Sequence, residues 1–406
     1  MRVLHFYKTS FPDSVGGIEQ AIRQMCVGAA RLGIASQVLS LSRGGRPATS
    51  EHDGHAVHRV PLDFELASNA VSLRAIGSLA RLARDADVVH YHFPWPFMDL
   101  AHFLARTGKP SVLTYHSDIV RQRVLLRLYR PLMHRFLGSV DAIVATSPNY
   151  LATSKVLDRY RDKTRVIALG LDRGAYPEPA PERLARWRAR VGSKFFLFVG
   201  VLRYYKGLHI LLEAAAGTAW PVVIVGAGPI EQELKARARR LGLDNVLFAG
   251  TLDELDKLAL LRLCHAVVFP SHLRSEAFGI SLLEGAMFGK PMISSEIGTG
   301  TTWVNVHGES GLVVPPSDPQ ALRAAMGALW DDPAMARAMG QRAEARYWKL
   351  FTAARMADGY AALYRELAAK AAPVAIMPPS APPAPPAPPA PLRPSAGGSP
   401  GSPASG

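Results

Sequence analysis

The sequence predicts an α/β protein: two doubly wound, Rossmann-like domains facing each other across a cleft, followed by a disordered Pro/Ala-rich tail. Three observations predict it. Apolar runs of strand length alternate with runs of helical period through residues 1–170, and the alternation starts again within residues 171–350. Polar and glycine-bearing loops follow the strands, where open parallel sheets bind their ligands. From residue 373 the composition changes to Pro, Ala, Ser and Gly, with Arg393 the only charge. Such a segment cannot offset its ordering entropy by burial, so 373–406 is expected to be disordered and partly polyproline II.

The elements follow in order. Residues 2–7 read as a buried strand and 8–17 as a loop ending in Gly16–Gly17. Residues 18–32 read as a helix with Ile22, Met25, Cys26, Ala29 and Ala30 at helical spacing, stopped by Gly33. Strands at 37–41 and 55–60 and a helix at 70–83 continue the pattern. A strand at 87–91 runs into an aromatic, proline-rich loop at 92–97. A strand at 111–115 precedes His116 and Asp118; a helix at 119–137 and strands at 140–145 and 165–169 complete the first domain. Residues 172–190 read as a linker leading into a short basic helix. The second domain places strands at 195–199, 222–225, 246–248, 266–269 and 312–314, with helices at 208–216, 230–240, 253–263 and 279–288. Residues 318–370 are helical, divided at Pro333.

The chain carries 47 Lys and Arg against 33 Asp and Glu, a net +14. That excess points to a polyanionic partner: nucleic acid, an anionic membrane or a phosphorylated substrate. No helix-turn-helix, zinc finger or RNA-binding aromatic signature supports the first. Cys26 and Cys264 read as buried thiols of a reducing compartment. No apolar run approaches the length of a membrane span or a signal peptide, so a cytoplasmic location is expected.

The most informative stretch is 271–294, SHLRSEAFGISLLEGAMFGKPMIS. It reads as strand, loop, helix. The backbone N–H groups of Phe278, Gly279 and Ile280 start the helix, and such a start attracts phosphate. Glu276 and Glu284 flank it and would suit sugar hydroxyls, which points to a nucleotide diphosphate carrying a sugar. Taken alone, the two acids are equally well explained as helix-start and exposed-face residues. Arg203 and Lys206, after the second domain's first strand, would alone read as solvated charges, and Gly226–Gly228 as a tight turn. In the first domain His90 reads as packing, while His92 and Lys8 are acceptor-side candidates. Asp85-Ala-Asp87 matches a metal-holding pattern but precedes its strand, at the end away from the cleft; no metal is expected. The 119–137 helix interleaves Arg121, Arg123, Arg127, Arg130 and Arg135 with apolar residues. It is either a solvated helix or a membrane-surface helix that attracts anionic lipid.

SEAFGISLLEGAMFGKPMI resembles the signature of the retaining glycosyltransferases of family 4, which have the two-domain GT-B fold. The likeness extends over most of residues 1–367: a Gly-Gly-Ile-Glu loop, TYHSD, VGVLRYYKG and HGESGLVVPPSDPQAL. It implies that Glu276 hydrogen-bonds the donor sugar and Glu284 the ribose. Arg203 and Lys206 would neutralise the diphosphate leaving group, Gly16 and Gly17 would let the backbone approach the donor phosphate, and His116 would contact the transferred sugar. In many relatives the arginine directly follows the strand-end glycine, where this chain has Val201. The resemblance also implies that the last helix, within 351–372, crosses back to the first domain. The leaving phosphate, not a covalent nucleophile, would assist the incoming hydroxyl. Residues 294–305, SSEIGTGTTWVN, resemble a segment of bacterial mannosyl- and rhamnosyltransferases that build O-antigen from GDP-linked sugars. The expected substrates are GDP-mannose or GDP-D-rhamnose, with UDP-sugars next, and a lipid-linked glycan of lipopolysaccharide synthesis at the membrane face. The nucleotide sugar is a substrate, and no cofactor is expected. A sugar-nucleotide epimerase and a nucleic-acid-binding protein are the rivals. A dinucleotide dehydrogenase is disfavoured, since neither glycine cluster completes G-x-G-x-x-G.

Overall fold

The computed structural model describes residues 1–371 except 15, 67–68 and 120–122; the expected disordered tail, 373–406, lies outside the described residues. The strands in chain order are β1 Arg2–Phe6, β2 Ala35–Ser42, β3 Ala48–His52, β4 His55–Pro61, β5 Phe64–Leu66, β6 Asn69–Val71, β7 Val88–Phe93, β8 Ser111–Tyr115, β9 Ala142–Ala145 and β10 Thr164–Val166. Those of the second half are β11 Phe196–Val199, β12 Val222–Val225, β13 Val246–Gly250, β14 Ala266–Phe269, β15 Met292–Ser295 and β16 Gly311–Val314. The helices are α1 Gly17–Ala30, α2 Leu73–Ala83, α3 Pro96–Ala105, α4 Arg123–Ser139, α5 Pro148–Thr153, α6 Pro181–Val191 and α7 Leu208–Ala215. They continue with α8 Glu231–Arg240, α9 Glu254–Leu263, α10 Ile280–Met287, α11 Thr301–Val304, α12 Pro319–Asp331, α13 Pro333–Leu350 and α14 Ala353–Ala371.

Among the described residues the first sheet has the order β10-β9-β8-β7-β1-β2-β4-β3, parallel except for β3. The second has the order β13-β12-β11-β14-β15-β16, parallel throughout. Strand order reverses beside β1 in one sheet and beside β11 in the other. At such switch points a crevice opens beyond the carboxyl ends of the strands. The central strands are buried on both faces, as parallel strands under helices must be.

Several expectations are corrected. The 70–83 helix begins at Leu73, because 69–71 pairs with β5 as a short hairpin. The 87–91 strand continues to Phe93, and the aromatic, proline-rich loop gives way to α3, whose Pro96 stands in the first turn where its missing N–H costs nothing. Of the 119–137 helix the structure describes Arg123–Ser139, residues 120–122 lying outside the described residues.

The chain passes between the two sheets twice, and the crossings are bonded to each other. Leu171 N donates to Phe351 O at 3.0 Å, and Ala353 N donates to Leu171 O at 2.8 Å. After the second crossing α14 packs on α1. Tyr364 Oη lies 2.7 Å from His90 Nδ1, Thr114 Oγ1 lies 2.7 Å from His90 Nε2, and Tyr360 Oη lies 2.8 Å from Thr114 Oγ1. His90 is thus a satisfied interior histidine holding the last helix to the first sheet.

Candidate functional site

The site is built at the carboxyl ends of β11 and β14. Gly207 follows the turn Tyr204–Lys206 with φ +68°, and a Cβ there would lie 1.9 Å from the Pro270 carbonyl oxygen. Only glycine permits that approach, and it brings Lys206 against the loop after β14. The Lys206 ammonium pairs with the Glu276 carboxylate, and Ser271 Oγ donates to the same carboxylate at 3.3 Å. Lys206 Nζ also lies 4.7 Å over the Phe269 ring. Glu276 is 9% exposed, so the pair sits at the edge of solvent, where its Coulomb energy is weakly screened.

Gly279 caps α10 with φ +88°, a conformation that suits glycine, and the helix starts at Ile280. A Cβ on Gly17, at the start of α1, would lie 3.6 Å from Ile280 Cγ1. Two helix N-termini from opposite sheets therefore meet, and their dipoles and free N–H groups converge on one region favourable to an anion. Beside it Glu19 is buried and accepts from Thr9 Oγ1 at 2.7 Å and Ser14 Oγ at 2.9 Å.

Glu284 is 5% exposed. Its Oε1 accepts from Lys257 Nζ at 2.9 Å and from the Tyr176 hydroxyl at 3.4 Å. Burial pulls the Lys257 ammonium down, but Glu284 and Glu254 outweigh it and hold its pKa above the ordinary lysine value. Arg203 is exposed. Its charge is felt across the cleft by Tyr7 and Lys8. Burial lowers the Lys8 pKa first, Arg203 lowers it further, and Glu19 and Glu65 oppose them.

His116 follows β8 and is 5% exposed; its Nε2 lies 3.1 Å from His92 Nδ1. The expectation for His92 is corrected. It lies inside β7 at 0% exposure, with one ring nitrogen on His116 and the other 3.1 Å from His5 Nδ1. An acceptor cannot reach it. Ring nitrogens of His5, His90 and His92 lie within 4.8 Å of one another, a spacing that would admit a metal. However, both nitrogens of His90 and both of His92 are already hydrogen-bonded.

Gly226 and Gly228 do more than turn the chain. Cβ atoms there would fall 2.1 Å from Gly200 O and 2.4 Å from Leu202 O, so the loops after β11 and β12 pack backbone to backbone. In Asp85-Ala-Asp87, Asp87 accepts from Arg2 N at 2.8 Å at the amino end of the sheet, away from the cleft. Three contacts escaped the sequence reading. Arg274 Nη2 bonds Asp118 at 3.2 Å and Nη1 bonds Gly298 O at 2.7 Å, joining the two walls. Lys257 holds Glu284, and Glu19 lines the first loop. For Glu19 the Gly-Gly-Ile-Glu run was a usable signal; a pair 156 residues apart, such as Arg274 and Asp118, leaves none.

Two family models match the chain: Glycosyltransferase Family 4 over residues 15–174 and Glycosyl transferases group 1 over residues 181–346. The D-rhamnosyltransferase WbpZ of Pseudomonas aeruginosa is 64% identical over 353 residues, covering 87% of this chain and 93% of that protein. The chain belongs to glycosyltransferase family 4. The O-antigen chain mannosyltransferase C of Escherichia coli is 51% identical over 367 residues, covering 90% of this family member and 99% of the relative. Among solved structures, sucrose-phosphate synthase from Thermosynechococcus elongatus matches with a TM-score of 0.76 at 22% identity, over 91% of this chain and 99% of that one. Trehalose-6-phosphate synthase OtsA matches with a TM-score of 0.72 at 14% identity, over 90% and 99%. These share the fold, and the two facing sheets are the GT-B architecture of a glycosyltransferase.

Proposed function

We propose that this glycosyltransferase moves mannose or D-rhamnose from a GDP-sugar to a lipid-linked glycan of the O-antigen type, with retention of configuration and without a metal ion. The observation that carries the reading is the 64% identity, over 353 residues, to a protein named as a D-rhamnosyltransferase. The 51% identity to an O-antigen mannosyltransferase supports the same sugar class.

The Lys206–Glu276 pair is what the donor replaces. The diphosphate takes Lys206, with Arg203 and the N–H groups of Phe278, Gly279 and Ile280; the sugar hydroxyls take Glu276. Each partner exchanges one polar contact for another, so the desolvation of the pair is not wasted. Glu284 holds the ribose, and the backbone of Gly16–Gly17 approaches the donor phosphate beside the Glu19 carboxylate, which a Cβ on Gly16 would strike. As the glycosidic bond lengthens, negative charge grows on the leaving diphosphate, where Lys206 and Arg203 already stand. The leaving oxygen then takes the proton of the incoming hydroxyl on the same face of the sugar.

The acceptor enters beside a cavity of about 360 Å³ bounded by Leu126, Met133, Arg130, Lys155 and Arg274. Outside it, α3 and α4 turn Leu100, Leu104, Leu125 and Leu128 to solvent, Leu128 at 77% exposure. Exposed Arg127, Arg130 and Arg135 lie on α4; Arg121 and the Arg123 side chain lie outside the described residues. This mixture of leucine and arginine supports peripheral docking on an anionic membrane, where the lipid-linked acceptor resides. No helix among the described residues is long and apolar enough to cross a membrane.

A donor panel tests the reading. Hydrolysis and thermal stabilisation are expected with GDP-mannose and GDP-D-rhamnose and not with UDP- or dTDP-sugars; activity confined to UDP-sugars would overturn the donor assignment. Vesicle sedimentation should show binding to anionic and not to neutral lipid, and equal binding to both would end the membrane proposal.

A further inference from the structure

Three histidines form a line across adjacent strands of the first sheet, from β1 through β7 to the residue after β8. His5 Nδ1 and His92 Nε2 are 3.1 Å apart, as are His92 Nδ1 and His116 Nε2. Neighbouring rings are stacked with centroids 5.4 Å apart. Strand parity puts them together. His90 and His92 lie two apart on β7, His5 is the register partner of His90, and His92 is the register partner of Thr114, two residues before His116.

A neutral imidazole has one N–H and one bare nitrogen, so the line can be hydrogen-bonded in only two directions. In one, the N–H groups point away from His116, and His5 is left with an N–H at Nε2. That atom is sealed from solvent and has no partner among the described residues. In the other, His5 Nδ1–H donates to His92, His92 Nδ1–H donates to His116 Nε2, and His5 is left with a bare lone pair. An orphaned buried donor is the costlier and rarer of the two, so the second direction wins. His116 must then carry its proton on Nδ1. Its Nδ1 has no partner among the described residues, and His116 keeps 5% of its surface exposed.

We propose that His5 and His92 are positioning residues that hold His116 as the neutral Nδ1–H tautomer, so that it offers the cleft a hydrogen-bond donor without a charge. The target of that donor is an oxygen of the transferred sugar, which rests on the reading of His116 given above. The need for neutrality follows from the chemistry. A sugar losing its diphosphate gains positive charge at the ring, and an imidazolium beside it would repel that charge. A neutral N–H orients the sugar without opposing the reaction. Burial keeps all three rings unprotonated; His5 and His116 are pushed down to about 3, His55 adding to the effect on His5.

The test reads the tautomer directly. Full-length protein labelled with ¹⁵N-histidine is studied by long-range ¹H–¹⁵N NMR, with His116→Gln used to assign the His116 signals. In the wild type, Nδ1 is expected to carry the proton and Nε2 to be bare. In His92→Phe the His116 tautomer is expected to move toward Nε2–H, with kcat down about tenfold and KM nearly unchanged. His92→Asn, whose amide N–H can stand in for Nδ1–H, is expected to restore both. A wild-type His116 protonated on Nε2, or a His92→Phe protein with the tautomer unmoved, overturns the proposal; the wild-type spectrum decides this even where a variant fails to fold. A tautomer that moves while kcat does not leaves the relay standing and overturns the assignment of His116 to the sugar.

Discussion

At the carboxyl end of the second sheet, Lys206 is paired with Glu276 and Lys257 with Glu284, and Arg203 stands exposed beside them. At the facing end of the first sheet, His5, His92 and His116 are bonded ring to ring, and burial keeps them uncharged at neutral pH. The second-sheet wall is organised by ion pairs, whereas the histidine line of the first-sheet wall is neutral, with the carboxylates of Glu19 and Asp118 on the same wall. The proposed function gives the two walls to the two halves of a glycosyl donor. The diphosphate leaves as an anion and needs cations. The sugar becomes transiently cationic and needs orientation without added positive charge.

The neutral wall can be broken most severely with acid. Unfolded histidine binds a proton near pH 6.5, whereas the folded pKa values of His5 and His116 are about 3, with burial the main cause. His90 and His92 lie well below the ordinary value for the same reason. Between those limits the unfolded chain binds more protons, so stability is full above pH 6.5 and falls as pH drops toward 3. At pH 5 His5 and His116 each cost about 2 kcal/mol of stability. Thermal melts from pH 7.5 to 5 should show a steep fall in Tm, and a flat profile would mean that these rings are not kept neutral.

The charged wall is tested by Lys206→Ala and Glu276→Ala, each expected to lower turnover by about 10²–10³-fold in a protein that still folds. Near-normal rates in either variant would remove the pair from the mechanism. A smaller effect is expected where the neutral wall meets α14. Tyr364→Phe deprives His90 Nδ1 of its 2.7 Å partner, a loss of about 1–3 kcal/mol in chemical denaturation. The smallest belongs to the bond between the walls. Arg274 and Asp118 are partly exposed, so Arg274→Ala should cost no more than about 1 kcal/mol, read as a small shift in the denaturation midpoint.

The charged wall was far more legible in the sequence than the neutral one. Glu276, Glu284, Gly279 and Lys206 lie in short runs whose residue types announce a strand end and a helix start, and the structure places Glu276 with Lys206 across 70 residues. The histidine line is distributed over β1, β7 and the residue after β8, and only the strand register brings the rings together. His90 and His92 show the period of two in the sequence, but a period names a face and not what covers it; α14, more than 260 residues on, supplies the cover. The same limit explains α3. Pro and Trp punctuate 92–97 like a loop, while Pro96 in fact opens a helix. Arg274 and Asp118 meet across 156 residues without any local signal.

The division of labour between Lys206 and Glu276 is tested most directly by calorimetric titration of GDP into the wild type, Lys206→Ala and Glu276→Ala. GDP carries the diphosphate but no sugar. Removing Lys206 should weaken GDP binding by about tenfold or more. Removing Glu276 should leave it unchanged or tighten it, because Lys206 loses its competing partner. Equal weakening in both variants would contradict the account.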